Sequence, residues 1–416
     1  MLQTQRTHLA EKKGGPKIGL ALAGGGPLGG IYEIGALLAL NEAIDGLDFA
    51  DADVYVGVSA GSFVACTLAN GISVEEMGRL LVSRRGKPQR FDPTLFLQPN
   101  FQEYIRRGAQ FPRLLAEGMW QFLRNPQANG LLESLSGVSR AIPTAVFDNQ
   151  PIESFLSDLF SNRGMTNDFR QLPHKLLVVG VDLDTGEAVR FGSPGHDDVP
   201  ISKAVQASTA LPGLYPPVKI GERYFVDGGL KRTLHASSAL DEGVDLLFCV
   251  NPIVPYDASA APPSDDKRHD SLVEGGLTVV LSQTFRALIH SRMKVGMAKY
   301  ETSYVDRDVV LFEPDTGDSK MFFTNVFSYA NREMVCQHAY RTTRRDLRAR
   351  RARLAPILKR HGVTINEAIL QDRDRHFSSA LSRRPDPMRL GIYKNQVTNR
   401  LDGLLDRIEV LVRPSH

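Results

Sequence analysis

Short hydrophobic runs alternate with longer segments of helical periodicity through the first 250 residues of the chain. Runs at 17–23, 55–58, 176–182 and 246–250 have the length and composition of buried strands. Segments at 31–44 and 60–70 are predicted helices, closed by Gly46 and Gly71. Strands that alternate with helices predict an α/β protein with a mostly parallel central sheet and helices on both faces.

The same pattern divides the chain into regions. Residues 1–15 are polar and are predicted to form a disordered tail, and residues 16–254 are predicted to form the α/β domain. Residues 86–145 are rich in Phe, Pro and Arg and are predicted to be an insertion of short helices and loops. Residues 255–272 have the composition of a loop or linker, and residues 273–416 are predicted to be a mainly helical C-terminal region packed on the core.

A serine stands between two glycines at the boundary of a predicted strand and a predicted helix. The sequence Gly57-x-Ser59-x-Gly61 has the pattern of a nucleophile elbow, in which only small neighbours fit a tight turn that exposes the serine oxygen. The start of the following helix favours negative charge that develops beside it. The pattern therefore makes Ser59 the candidate nucleophile.

Two further strand ends carry residues that suit the same chemistry. The strand at 17–23 runs into glycine-rich residues 24–30, whose backbone N–H groups could hold an oxyanion. A strand at 223–226 runs into Asp227-Gly228-Gly229, where Asp227 is the candidate base. Because ligands bind outside the carboxyl ends of strands in a parallel sheet, we expect all three segments to meet at one edge.

In this order the three motifs resemble those of the patatin-like phospholipases, and the resemblance covers about residues 17–230. It implies a three-layer fold and a lipid acyl hydrolase with a Ser–Asp dyad, acting on phospholipids or acylglycerols without a cofactor or metal. It assigns Ser59 as nucleophile and Asp227 as proton acceptor. The implied oxyanion loop contains Gly24, Gly25, Gly26 and Gly29, and the supporting glycines are Gly57, Gly61, Gly228 and Gly229. One departure is Leu28, where the family often has Arg or Lys, and it keeps open a non-catalytic, lipid-binding relative.

Two other interpretations of the same residues stay open. Gly24-x-Gly26-x-x-Gly29 after a strand also fits a dinucleotide fingerprint, with Asp48 and Asp51 about 20 residues further on. That interpretation leaves the other two motifs without a role. A serine hydrolase with a histidine would follow the order Ser, acid, His, for which His235, His290 and His338 are the candidates.

Composition bears on the partners of this protein and on the compartment in which it works. The net charge of +3 is too small to indicate nucleic acid, and three widely spaced cysteines fit a reducing, cytoplasmic compartment. No run approaches the roughly 20 apolar residues of a membrane span. The arginine-rich segment 341–360 is interpreted either as a helix packed on the core or as a peripheral membrane contact. The insertion, with Phe101, Phe111 and Trp120, is predicted to form an acyl pocket or a lid.

Overall fold

The computed structural model describes residues 15–82, 97–124, 141, 143–162, 164–260, 272–324 and 329–381. Within them, eight strands form one sheet in the order β6-β7-β4-β3-β1-β8-β9, with β5 paired to β4. A ninth and a tenth strand, β2 (Ile44–Asp45) and β10 (Thr364–Ile365), pair with each other. The strands of the main sheet are β1 (Ile18–Leu22), β3 (Val54–Val58), β4 (Lys175–Asp182), β5 (Ala188–Phe191), β6 (Val218–Ile220), β7 (Arg223–Asp227), β8 (Leu246–Val250) and β9 (Asp308–Phe312).

Five neighbouring strands, from β4 through β3, β1 and β8 to β9, run parallel. The inner strands are rich in valine, leucine and alanine and are buried along nearly their whole length, as expected for strands covered on both faces. Strand β9 comes from the C-terminal region and extends the sheet beyond β8. Strands β5 and β7 each pair with β4 in the antiparallel sense.

Helices cover both faces of the sheet. The described α-helices are α1 (Gly26–Ala43), α2 (Ala60–Ala69), α3 (Val74–Met77), α4 (Phe101–Arg124), α5 (Gln150–Phe160), α6 (Ile201–Ser208), α7 (Ala236–Asp241), α8 (Gly276–Ser303), α9 (Ser319–Phe323), α10 (Arg332–Ala349), α11 (Arg351–Arg360), α12 (Glu367–Gln371) and α13 (Phe377–Leu381). Apolar residues of α1, α2, α10 and α11 share one core cluster. Residues of α7 and α8 share a second cluster on the opposite face. The predicted fold class, a mostly parallel sheet between two helical layers with a helical C-terminal region, is confirmed.

The described part of the insertion differs from its prediction. One helix of 24 residues, α4, stands where short helices and loops were expected. The apolar residues of 101–120 recur every three or four positions, which is the spacing of a single continuous helix. Phe91 and Phe96 lie outside the described residues.

The arginine-rich segment packs on the core, as the first of its two interpretations expects. Arg344 of α10 is buried, and its guanidinium donates to the Glu42 carboxylate of α1 (3.3 Å) and to the Asp372 carbonyl (2.7 Å). Arg360 donates to both oxygens of Asp308. These guanidinium groups therefore join the C-terminal helices to the sheet and to α1. No helix among the described residues has both the length and the apolar character that a membrane crossing requires.

Candidate active site

The turn between β3 and α2 holds Ser59 in an unusual backbone conformation. Ser59 has a φ of 53°, a region that L-residues other than glycine seldom adopt. The turn leaves no room for larger neighbours, because a Cβ on Gly57 would lie 2.4 Å from the Ser62 Cα. A Cβ on Gly61 would lie 2.5 Å from the Ala23 carbonyl oxygen. These contacts are the structural reason for the two glycines of the motif, and strain of this kind is concentrated at functional sites.

A second serine, Ser208, holds the elbow from the side of α6. The Ser59 backbone N–H donates to the Ser208 Oγ at 2.9 Å. The Ser208 hydroxyl in turn donates to the Val179 carbonyl of β4 at 2.6 Å. Ser208 is the last residue of α6, ahead of Asp227 in the sequence, and no spacing rule relates it to Ser59. Its role as a tether is visible only once the two chain segments are seen together.

The glycine loop lies directly against the elbow. The loop follows β1, whose register places Leu22 opposite Gly57 and so brings Gly24 level with Ser59. A Cβ built on Gly24 would lie 3.0 Å from the Ser59 Cβ and 3.6 Å from its Oγ. Helix α1 begins within the loop at Gly26, and its first turn carries no acidic residue. The backbone of the loop and the N-terminus of α1 therefore lie beside Ser59.

Leu28 is a core residue. Its side chain is only 2% exposed and belongs to the hydrophobic core. The position that departs from the family pattern is thus filled by a buried apolar side chain next to Gly29 of the glycine loop.

Asp227 lies beside Ser59, but the direction of its strand differs from the expectation. Strand β7 runs antiparallel to β4, so its carboxyl end does not share the edge at which the parallel strands end. Val58 pairs with Val179, and Asp227 pairs with Gly180, the next residue of β4. Ser59 and Asp227 therefore stand at the same level because β4 continues past the elbow and β7 returns beside it.

The Asp227 carboxyl is buried, with 4% of the residue exposed. The Ser59 side chain lies near enough to lower the pKa of this carboxyl by hydrogen bonding, and the Asp227 Oδ1 accepts the Gly229 N–H at 2.8 Å. Burial raises the pKa of Asp227 from 3.8 to about 6, although both hydrogen bonds lower it. A carboxylate with a pKa close to neutral is a much better proton acceptor than an ordinary aspartate.

None of the three candidate histidines is found between the serine and the acid among the contacts of the described residues. The ring of His235 lies 3.3 Å from the Gly228 carbonyl oxygen through Nε2, and burial lowers the pKa of His235 to about 4. His338 lies on α10, in the helical layer on the other side of the sheet from α7, and forms an ion pair with Asp318. His290 is buried in α8, and its Nδ1 has no hydrogen-bond partner in the described part of the chain. The geometry favours a dyad of Ser59 and Asp227 over a triad that includes a histidine.

The acids of the dinucleotide interpretation lie at the wrong end of the sheet. Asp48 and Asp51 precede β3, whereas the glycine loop follows β1, and the two strands are parallel. Five strand residues separate the two edges, which is about 16 Å. The Asp48 carboxylate accepts the Ala50 N–H, and Asp51 pairs with His174. A dinucleotide fingerprint needs its acid beside the loop.

Fold and site together define an α/β protein with a nucleophile elbow, a glycine-rich loop and a buried carboxyl at one place on the sheet. A family model described as Patatin-like phospholipase matches residues 20–240, more than half of the chain. The chain belongs to the patatin-like phospholipase family, whose members are lipid acyl hydrolases.

Individual relatives resemble the chain over limited spans. Uncharacterized NTE family proteins of Mycobacterium tuberculosis and Mycobacterium bovis are 38% identical over 82 residues, which is 19% of this chain. The chain spans 13% of the length of these curated relatives.

Solved structures of similar proteins include VipD from Legionella pneumophila, with 16% identity, a TM-score of 0.35, and coverage of 80% of this chain and 67% of VipD. They also include the type III effector ExoU in its Pseudomonas aeruginosa complex with SpcU, with 15% identity, a TM-score of 0.26, and coverage of 89% and 69%.

Proposed function

We propose that this protein is a serine acyl hydrolase that cleaves ester bonds of phospholipids or acylglycerols with Ser59 as nucleophile and Asp227 as base. The observation that carries the proposal is a buried carboxyl, with its pKa raised to about 6, that lies level with Ser59 in the sheet and close to its side chain. Ser59 also sits in the strained turn that exposes a nucleophile. The family membership supports the same reaction class.

In the proposed first step, Asp227 accepts the hydroxyl proton while the Ser59 Oγ attacks the ester carbonyl carbon. A serine hydroxyl is a weak nucleophile until such a base removes its proton. The carbonyl oxygen becomes an oxyanion, which the glycine loop at Gly24, Gly25, Gly26 and Gly29 stabilises through backbone N–H groups and the start of α1. One such donor is worth roughly 3–4 kcal/mol when it is removed.

In the proposed second half, the tetrahedral intermediate collapses and the alcohol leaves with the proton from Asp227. Water then attacks the acyl-enzyme, with Asp227 accepting a proton from it, and the fatty acid leaves as this proton passes from Asp227 to the Ser59 Oγ. The Gly228 and Gly229 backbone keeps the carboxyl in place, since the Gly229 N–H binds Oδ1 and a Cβ on Gly228 would lie 2.3 Å from the Val179 carbonyl oxygen. No step of this scheme uses a cofactor.

We also propose that α4 contacts the lipid surface on which the substrate lies. One face of this helix is apolar and exposed, with Phe101 at 65% and Ile105 at 73% exposure, and Phe111, Leu115, Met119 and Trp120 follow. Arg106, Gln110 and Arg113 occupy the opposite side at helical spacing. A helix of this kind lies in a membrane interface with its apolar face in the acyl boundary.

The first turn of α4 is joined to the segment that positions the acid. Tyr104 donates its hydroxyl proton to the Val146 carbonyl, and the Val146 N–H donates to the Gly213 carbonyl at 3.2 Å. The Asp227 N–H donates to the Ala210 carbonyl at 3.0 Å, three residues before Gly213. Contact of α4 with a bilayer would thus bring the candidate site to the membrane surface. Ile105→Glu should weaken binding to liposomes, whereas Gln110→Glu, a matched change on the other face, should not.

A panel of lipid esters tests the proposed reaction. Wild type, Ser59→Ala and a control, Ser161→Ala at the end of α5, are compared on phospholipid, diacylglycerol and soluble short-chain ester. We expect turnover by wild type and the control, and loss of more than a hundredfold in Ser59→Ala. Equal turnover by all three proteins would contradict the assignment of Ser59. Binding of lipid without any turnover by wild type would indicate the non-catalytic relative instead.

A further inference from the structure

Helix α8 has apolar side chains on two opposite faces. One face packs in the second core cluster through Met293 and Met297, and Arg286 on the same face lines a small pocket with Gly25 of the glycine loop. The opposite face is exposed, and its apolar residues, which are from 36% to 74% exposed, are Leu277, Val280, Leu281, Phe285, Leu288 and Val295. A helix that is apolar all round is ordinarily buried on every side. Contiguous exposed apolar surface marks an interaction site, so the exposed face of α8 is a candidate docking surface.

The residues along this exposed face follow a heptad spacing. Steps of four and three residues alternate along six exposed positions, which are Leu277, Leu281, Thr284, Leu288, Ser291 and Val295. They span about 27 Å at 1.5 Å per residue. The Thr284 hydroxyl donates to the Val280 carbonyl of its own helix at 2.8 Å, so its proton is already bound within α8. Alternating steps of this kind form the seam on which a second helix packs knobs into holes.

The exposed cations of α8 are confined to its C-terminal half. Residues 276–291 contain two titratable side chains, Arg286 and His290, and both are buried. The exposed cations that follow are Arg292, Lys294 and Lys299. In a parallel pair of such helices these cations would meet their own copies, and like charges placed opposite each other are costly. In an antiparallel pair they lie along the uncharged half of the other helix, and the helix dipoles attract each other.

An antiparallel pair centred at the level of Arg286 places large side chains opposite smaller ones. The facing pairs are Leu281 with the partner's Ser291, Leu288 with the partner's Thr284, and Leu277 with the partner's Val295. Large and small side chains that alternate across a seam allow two helices to interdigitate. The exposed Glu274, two residues before α8, then lies close to the level of the partner's Lys299. The two ends of the pair are therefore complementary in charge.

A lipid surface fits this face less well than a second helix does. A helix that lies in a membrane interface has a polar face rich in Lys and Arg opposite its apolar face. Opposite the exposed face of α8 is instead the face that packs in the core. Helix α4 has the polar side that contact with lipid needs, so the two exposed apolar helices suit different partners.

We propose that the exposed face of α8 binds the same face of a second copy of this chain in an antiparallel helix pair, so that the protein forms a twofold homodimer. Both helices are already held by the core of their own chain, so association does not need to order them. The contact uses the same surface on both copies, which closes the assembly at two. A seam of one helix from each copy is small for a protein interface, so we expect a dissociation constant in the micromolar range.

Sedimentation equilibrium of the full chain tests this proposal, from micromolar to about a hundred times that concentration. It compares wild type with Leu281→Glu, Leu288→Glu and Leu183→Glu. Leu183 is 51% exposed between β4 and β5, so its variant is a matched control outside α8. We expect wild type and Leu183→Glu to form dimers. The dissociation constant of each α8 variant should rise about a hundredfold or more, because two carboxylates would enter the seam.

Cysteine cross-linking tests the direction of the pair, since the three native cysteines are buried. Leu281→Cys combined with Ser291→Cys should form disulfides between two copies under mild oxidation. Ser291→Cys alone should not, because an antiparallel pair holds the two copies of this position apart. Strong cross-linking of Ser291→Cys alone would indicate a parallel pair and overturn the proposal.

Two results in solution would also overturn it. Wild type that remains monomeric at the highest concentration would exclude the dimer, and a dimer that both α8 variants leave intact would place the interface elsewhere. If wild type is monomeric and Leu281→Glu and Leu288→Glu lose binding to liposomes, the exposed face of α8 contacts lipid instead. None of these measurements depends on turnover, so they are independent of the proposed reaction.

Discussion

Replacing Asp227 with asparagine should abolish turnover and, at the same time, make the folded protein more stable at alkaline pH. The pKa of this carboxyl is raised by burial from 3.8 to about 6. A group whose pKa is higher in the folded state favours folding in its protonated form, and this contribution is lost as the pH rises from about 4 through 6. A shift of roughly 2 units corresponds to about 3 kcal/mol at 1.36 kcal/mol per unit.

Asparagine removes that pH-dependent cost and keeps the local geometry. Its Oδ1 can accept the Gly229 N–H as the aspartate Oδ1 does at 2.8 Å. Unfolding in urea at pH 4, 6 and 8 should therefore show Asp227→Asn to be up to about 3 kcal/mol more stable than wild type at pH 8, with no difference near pH 4. An active site that is destabilised for function shows this opposition of activity and stability.

The pH dependence of kcat/KM in the wild-type enzyme should also follow the ionisation of Asp227. If Asp227 is the base, kcat/KM follows its ionised fraction and should be about tenfold lower at pH 5 than at pH 8. An aspartate of ordinary pKa would leave kcat/KM nearly constant over this range. A flat profile between pH 5 and 8, or an asparagine variant that is less stable than wild type at pH 8, would refute the reasoning.

Three further expectations concern residues around the site and the core. Ser208→Ala leaves the Ser59 N–H without its acceptor. The free energy of unfolding in urea should fall by about 1–3 kcal/mol, and kcat should fall more than KM changes. Full activity of the variant would show that Ser208 does not hold the elbow in its active conformation. Burial raises the pKa of Glu33 well above its usual range, so Glu33→Gln should flatten the loss of stability between pH 5 and 8, and an unchanged slope would contradict this. Arg344→Met should destabilise the fold by about 1–3 kcal/mol, because Glu42 keeps Arg375 but loses Arg344, and the Asp372 carbonyl loses this donor. Liposome binding should not change, and weaker binding by the folded variant would favour the membrane-contact interpretation of the segment.

The parts of the site that sequence could predict are those fixed by neighbouring residues. The elbow is such a part, because a Cβ on Gly57 would meet the Ser62 Cα and the Gly61 carbonyl oxygen, which lie within a few positions of it in the sequence. The strand predicted at 246–250 also has the bounds that the structure gives it. Hydrophobic runs of this length bounded by turn residues carry their own signal.

Features that depend on register and on distant segments could not be predicted in this way. Asp227 meets Ser59 because β4 continues beyond the elbow and β7 pairs with it in the antiparallel sense. No local pattern indicates that pairing. Arg286 comes to the glycine loop from a helix far along the chain, and its position depends on how α8 packs on the second core cluster. The inward direction of Arg344 likewise depends on the buried Glu42 opposite it.

Covalent labelling tests the central assignment most directly. Wild type is treated with a fluorophosphonate probe, digested and analysed by mass spectrometry, in parallel with Ser59→Ala and with Asp227→Asn. The account predicts one adduct, on the peptide that contains Ser59, which is absent in Ser59→Ala and forms far more slowly in Asp227→Asn because the proton acceptor is missing. An adduct on another serine, or the absence of any adduct on a wild-type protein that hydrolyses lipid esters, would contradict the assignment of Ser59 as the nucleophile.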